Sequence, residues 1–292
     1  MRFCFLVEEQ YRNDGIPVDV VRQLADWGHR VDVLRPGGSL LDLGRLVRAG
    51  SHDAWVLKTV SGGPGLGLLE AAAAAGLTTV NDARSIRCVR DKASAAVRAA
   101  GLGLPVPETW AAARLSDLAQ IPADRYPLVV KPAEGSQGRS VHRVDDPGQL
   151  VLAAGEFAGE GMLIAQPWVQ NSGIDLKVYC VDGELFGTER TSPLVPGKRK
   201  ERPVPLSAEV AAIVTEVGAV YGLDLYGVDV VLGPDGPIVV DVNDFPSFRQ
   251  VPDAVPRVAR AIINLARRGA TTPAPVLPVP RTALDAVGGG VR

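Results

Sequence analysis

The 292 residues are 46% hydrophobic and 5% aromatic, with 31 Lys plus Arg against 33 Asp plus Glu for a formal net charge of −2, which excludes disordered and collagen-like classes and leaves no electrostatic footprint for nucleic acid. The length fits two domains or one elaborate α/β enzyme rather than a small binding module. Cys4, Cys88 and Cys180 are too widely spaced for a disulfide framework or a zinc site and no apolar run approaches ~18 residues, so core thiols and a cytoplasmic protein away from membranes are expected.

Residues 2–80 alternate short apolar runs with helical patterns, as βα units around a parallel sheet do, which predicts a Rossmann-like N-terminal domain. RFCFLV (2–7) reads as the first strand; Pro17 then opens a helix with Val20, Val21 and Leu24 on one face and Gly28 as its stop. VDVL is the next strand, Leu40–Arg48 a second helix, AWVLK (54–58) a third strand and LLEAAAAAG (68–76) a helix ended by Gly76. The glycine-rich run Ser61 to Gly67 lacks the spacing and the downstream acid of a dinucleotide fingerprint and is expected to be a loop.

From residue 81 the character changes. Asp91 caps a helix that ends at Gly101, PLVVKP (127–132) is a strand ending in a lysine, EGSQGRS (134–140) a small polar loop and VHRV the returning strand. MLIAQPWV (162–169), DLKVYCVDGELFGTER (175–190) and VDVVLGPDGPIVVDVN (228–243) add strands, with turns marked by Asp182-Gly183 and Asp235-Gly236, so the second half is rich in antiparallel sheet. Ser207 starts a helix that Gly222 closes, residues 253–268 form a last amphipathic helix, and 270–292 have the Pro and Gly density of a flexible tail.

Asp229 lies on one strand, with Asp241 and Asn243 on the strand that returns; side chains at 241 and 243 share a face because strands have period two. Two carboxylates and an amide oxygen are hard donors suited to magnesium, which prefers to complete its shell with waters and phosphates. Lys131 ends an apolar strand, and Gly135, Ser136 and Gly138 in the following loop let backbone N–H groups approach oxygens closely. This is no P-loop, because GxxxxGK[ST] is absent. Lys177, inside the run DLKVYCV, is a further phosphate candidate, since a lysine among apolar residues is costly to bury without an anion, and Lys92, near a helix start, is either another or a surface helical lysine. Lys198, Arg199, Lys200 and Arg202 either grip an anionic acceptor or form a solvated loop, and the lone His52 and His142 carry no assigned role.

These motifs, NDARSIRCVRDKASAAVRAAGLGLPVPETW (81–110), VVKPAEGSQGRS (129–140), QPWV (166–169), GIDLKVYCVDGELFGTER (173–190) and GVDVVLGPDGPIVVDVNDFPSF (227–248), occur in an order that resembles the ATP-grasp superfamily. The resemblance implies a Rossmann-like domain at 1–88 and an ATP-grasp fold at 89–269, in which a lid-bearing subdomain (89–165) and a metal-binding subdomain (166–269) clasp ATP. It places Lys92 and Lys131 on the α and β phosphates and makes 134–140, with Gly135, Ser136, Gln137 and Gly138, the lid. Gln166, Pro167, Trp168 and Val169 would offer backbone hydrogen bonds to adenine, and Asp175 would bind ribose. Lys177 and Arg190 would face the γ-phosphate and the acceptor, and Asp229, Asp241 and Asn243 would hold magnesium, or manganese in its stead.

The branch resembled most is that of the ligases that add glutamate to a ribosomal protein, which activate a carboxylate as an acyl phosphate and pass it to an amine. Those ligases usually carry an Arg-x-Asn pair after the Glu-Arg strand, and residues 191–207 here have none. Similarity to inositol trisphosphate kinases, which phosphorylate a hydroxyl, gives a second reading, and a non-catalytic nucleotide-binding protein a third. Arg12, Lys58 and Arg249 are candidates to reach a small-molecule acceptor, as is Ser247 in the 245–252 loop. The apolar last helix is compatible with a homodimer.

Overall fold

The computed structural model describes residues 1–11, 15–38, 40–48, 52–58, 63–135, 140–195 and 201–269. Its first sheet is parallel, with β1 (Arg2–Val7), β2 (Arg30–Leu34), β3 (Ala54–Lys58) and β4 (Thr79–Val80) in the order β2-β1-β3-β4. The apolar runs of β1 and β3 are continuous rather than alternating because helices cover both faces. Phe3 and Phe5 pack towards α1 (Gly15–Asp26), whereas Cys4, Leu6, Trp55 and Leu57 pack towards α3 (Gly65–Ala74). The helix α2 (Leu43–Arg48) begins three residues after the expected start, and α3 begins inside the glycine-rich run, so Gly65, Leu66 and Gly67 are its first turn and not loop.

Two capped helices follow. Asp82 accepts from Arg84 N at 2.8 Å to start α4 (Ala83–Arg90), a helix the sequence reading did not include, and Asp91 accepts from Ala93 N and Ser94 N to start α5 (Lys92–Gly101). A four-stranded antiparallel sheet, ordered β5-β8-β6-β7, comprises β5 (Trp110–Ala112), β6 (Leu128–Pro132), β7 (His142–Val144) and β8 (Leu163–Pro167), with α6 (Pro147–Leu152) against it.

The third sheet is antiparallel and ordered β11-β10-β9-β12-β13: β9 (Ile174–Val181), β10 (Glu184–Thr191), β11 (Glu201–Val204), β12 (Leu225–Gly233) and β13 (Gly236–Asn243). Asp182 and Gly183, both at positive φ, make the tight turn expected between β9 and β10. The β12–β13 turn is Pro234-Asp235, one residue earlier than expected, with Gly233 paired to Gly236. Helix α7 (Ala208–Tyr221) lies on one face, capped by Ser207 and closed by left-handed Gly222. Helix α8 (Ala254–Arg268) buries Val258, Ala261, Ile262 and Leu265 in a cluster that also holds Phe3, Phe5, Tyr179 and Leu225, so the parallel sheet and the third sheet share one core. No helix among the described residues is long and apolar enough to cross a membrane. The three cysteines are free, with Cys4 and Cys180 buried.

Candidate active site

Strand register builds the floor of a cleft. Thr188, Lys177, Asp229 and Asp241 stand opposite one another across β10, β9, β12 and β13; two residues along, Arg190 faces Asp175, which faces Val231, and on the other side Tyr179 faces Gly227, which faces Asn243. Period-two alternation puts these rows on one face. Lys177 Nζ lies 2.6 Å from Asp229 Oδ1 and Arg190 NH2 lies 2.7 Å from Asp229 Oδ2. Burial opposes the Asp229 charge, but these two cations win and hold its carboxyl below the ordinary aspartate value. Burial likewise opposes the Arg190 charge, and Asp229 and Asp175 overcome it. Gly227 is where a side chain is excluded: a Cβ there would lie 3.0 Å from Lys177 Cε and 3.1 Å from Pro246 Cγ.

The opposite wall comes from α5 and β6. A bulge leaves Val240 out of the β12–β13 pairing, and its carbonyl accepts from Lys131 Nζ at 3.0 Å. Burial pushes the Lys131 ammonium below the usual lysine value, with Asp241 pulling it back up. Lys92 Nζ donates to Gly135 O at 2.7 Å and stands 4.0 Å from Asp241 Oδ1. Between the two walls run Gln166, Pro167, Trp168 and Val169; Gln166 Nε2 donates to Thr109 Oγ1, Trp168 N–H to Pro127 O, and Arg143 stacks 4.1 Å from the Trp168 ring.

The cleft so formed encloses about 1180 Å³ including its open mouth. Val129, Val141, Leu194, Val231 and Trp168 line an apolar part, and Lys92, Lys131, Lys177 and Arg190 a cationic one. That division suits a nucleotide, whose base is planar and apolar on its faces and whose phosphates are anionic. Arg190 Nε is buried with no partner among the described residues, as a group aimed at a ligand is. Gly135, Gln166, Pro167, Val169, Asp175, Asp229, Asp241 and Asn243 also line it. Asp241 and Asn243 offer oxygens at the cationic end, while Asp229 already neutralises two cations. Among the described residues no three His, Cys, Asp or Glu side chains cluster as a metal cage. A divalent ion held here would draw further ligands from phosphates and water, a coordination that fits magnesium.

A second cleft opens beside the first and shares Lys92, Gly135, Lys177, Arg190, Asp241 and Asn243 with it. It holds Lys58, Ser247 and Arg249, together with residues the sequence reading missed: Tyr11, Arg90, Tyr179 and Asp244. Arg12, Ser136, Gln137, Gly138, Lys198 and Arg199 lie outside the described residues, as does the 270–292 segment. His52 pairs with Asp32 at 2.8 Å and His142 with Glu156 at 2.6 Å; neither lines either cleft.

A family profile described as RimK-like ATP-grasp domain matches residues 89–264. A probable alpha-L-glutamate ligase of Thioalkalivibrio sulfidiphilus is 27% identical over 191 residues, 61% of this chain and 63% of that protein. The tetrahydromethanopterin:alpha-L-glutamate ligase of Methanosarcina acetivorans is 25% identical over 245 residues, 69% of this chain and 75% of that protein. Among solved structures, D-alanine–D-alanine ligase of Bacillus anthracis complexed with ATP superposes with a TM-score of 0.72 at 18% identity, covering 92% of this chain and 98% of that one. The last likeness speaks to fold alone. The match to the first relative spans less than two thirds of that protein's length.

Proposed function

The chain belongs to the RimK-like ATP-grasp family, and on that premise we propose that it is an ATP- and magnesium-dependent ligase joining the carboxylate of an amino acid or small peptide-like substrate to an amine. The observation that carries this reading is the pair of joined clefts, one apolar and cationic for a nucleotide, the other reaching the same Lys177, Arg190, Asp241 and Asn243 from the far side. A shared cationic boundary is what transfer of a phosphoryl group between two substrates requires.

Lys92 and Lys131 bind the α and β phosphates, their charges brought out by the helix start and the strand end that carry them. The linker at 166–169 takes the adenine edge and Asp175 the ribose. Lys177 and Arg190 take up the charge that spreads over the γ-phosphoryl oxygens. Magnesium held by Asp241 and Asn243 with Asp229, or manganese in its place, supplies further neutralisation of that charge.

The substrate carboxylate, held in the second cleft near Lys58, Ser247 and Arg249, attacks the γ-phosphorus, and ADP leaves. The amine then attacks the acyl phosphate carbonyl, inorganic phosphate leaves, and the amine gives up a proton. Incubation with ATP, magnesium and pooled amino acids tests this: ADP release should depend on both a carboxylate and an amine. Release supported by inositol phosphates and not by that pair would overturn it in favour of a kinase.

A further inference from the structure

Immediately after Asn243, three side chains from the first 90 residues seize the chain. Asn81 Nδ2 donates to Asp244 O, Arg90 donates through Nε and NH2 to the two Asp244 carboxylate oxygens at 3.0 and 2.9 Å, and Lys58 Nζ donates to Phe245 O at 2.7 Å. All three are buried, as is Asp244. We infer that Lys58, Asn81 and Arg90 are positioning residues for the metal site, a brace that fixes the end of β13 and with it the Asn243 side chain.

The inference rests on the proposal that Asp241 and Asn243 hold the metal. Three features support it. The Asn81 amide is used in full: besides Asp244 O it donates to Leu225 O, and its oxygen accepts from Asp224 N and Leu225 N. One side chain thus staples the start of β12 to the end of β13, the two strands whose register sets Asp229 against Asp241 and Gly227 against Asn243.

Arg90, in turn, ends α4 two residues before Lys92, with Asp91 between them as the α5 cap, so the brace and a phosphate-facing lysine are joined by one short rigid junction. Finally, a buried fork-to-carboxylate pair fixes direction as well as distance, which an apolar contact of equal size does not. Lysine at 90 would keep the charge and lose the fork. Groups behind a metal ligand commonly change metal affinity by about 10–100-fold when removed.

The test is Mn²⁺ binding, read from the electron paramagnetic resonance signal of the unbound ion, in the presence of ADP and without any acceptor, so that the place of Lys58 in the second cleft does not enter. Arg90→Lys and Lys58→Met should each weaken Mn²⁺ binding by about tenfold or more, while ADP affinity in EDTA stays within about twofold. Lys58→Met leaves the ion pair intact and decides the matter if Arg90→Lys does not fold. Unchanged Mn²⁺ affinity in folded variants overturns the brace, as does an equal loss of metal-free ADP binding, which marks general loosening. Asp241→Asn serves as the control: it should abolish Mn²⁺ binding, and if it does not, the metal site itself is misplaced and the brace falls with it.

Discussion

Replacing Asp229 with asparagine tests the electrostatics of the cleft floor. The carboxylate lies 2.6 Å from Lys177 Nζ and 2.7 Å from Arg190 NH2, and all three side chains are largely buried. At an effective dielectric near 20, a unit pair at about 2.7 Å is worth on the order of 6 kcal/mol before desolvation. Desolvation offsets much of that, and removing one partner of a buried pair costs about 3–5 kcal/mol, because the remaining charge is left uncompensated. At about 2–4 °C per kcal/mol, the variant should melt roughly 6–20 °C lower. ATP should restore much of this loss, since Lys177 and Arg190 then face the phosphates without a competing carboxylate. Thermal melts and calorimetric titrations in EDTA should show metal-free ATP binding at least about tenfold tighter than in the parent, while turnover with magnesium is lost. A variant as stable as the parent, with metal-free ATP affinity unchanged or weaker, refutes the reasoning.

Gly227→Ala should push Lys177 aside, given the 3.0 Å approach of a Cβ to its Cε; steady-state kinetics should show kcat down by about 10–100-fold with the nucleotide KM little changed. Asp82 is buried, which opposes its charge, but hydrogen bonds from Arg84 hold its carboxyl below the ordinary aspartate value. Its charge therefore contributes stability that is present above the unfolded carboxylate value near 4 and lost as pH falls through the lower folded value. Asparagine at 82 still caps the helix, so urea unfolding should separate Asp82→Asn from the parent at pH 7 and bring them together at low pH. Burial pushes the Cys4 thiol up to about 12, so at pH 8 an alkylating reagent should leave Cys4 untouched in the native protein and modify it only after denaturation, as mass spectrometry of the digested protein would show.

The cleft floor was legible because strands write their two faces into the sequence. In DLKVY and DVN the polar residues recur every second position among apolar neighbours, which identifies both the strand and the face carrying Asp175, Lys177, Asp241 and Asn243; in TER the polar Glu189 breaks that alternation, and it is the pairing of β10 with β9 that sets Arg190 opposite Asp175. Lys92 and Lys131 were legible from a helix start and a strand end. The Val240 bulge that supplies an acceptor to Lys131 was not, since one residue out of register leaves no local mark. Nor were the contacts of Lys58, Asn81 and Arg90 with residues 244 and 245, separated by 154 to 187 positions in the chain. Helix α4 escaped because four of its eight residues are arginine or serine and mask the apolar positions Ile86 and Val89. The Asp82 cap ahead of it was the available signal.

The central claim, that a γ-phosphoryl group passes from ATP to a carboxylate held beside Lys177 and Arg190, is tested most directly by following oxygen. With ATP, magnesium and a mixture of amino acids carrying ¹⁸O in their carboxylates, turnover should yield ADP and inorganic phosphate bearing one ¹⁸O atom for each amide bond formed. Release of AMP and pyrophosphate, or of phosphate without the label, would contradict it.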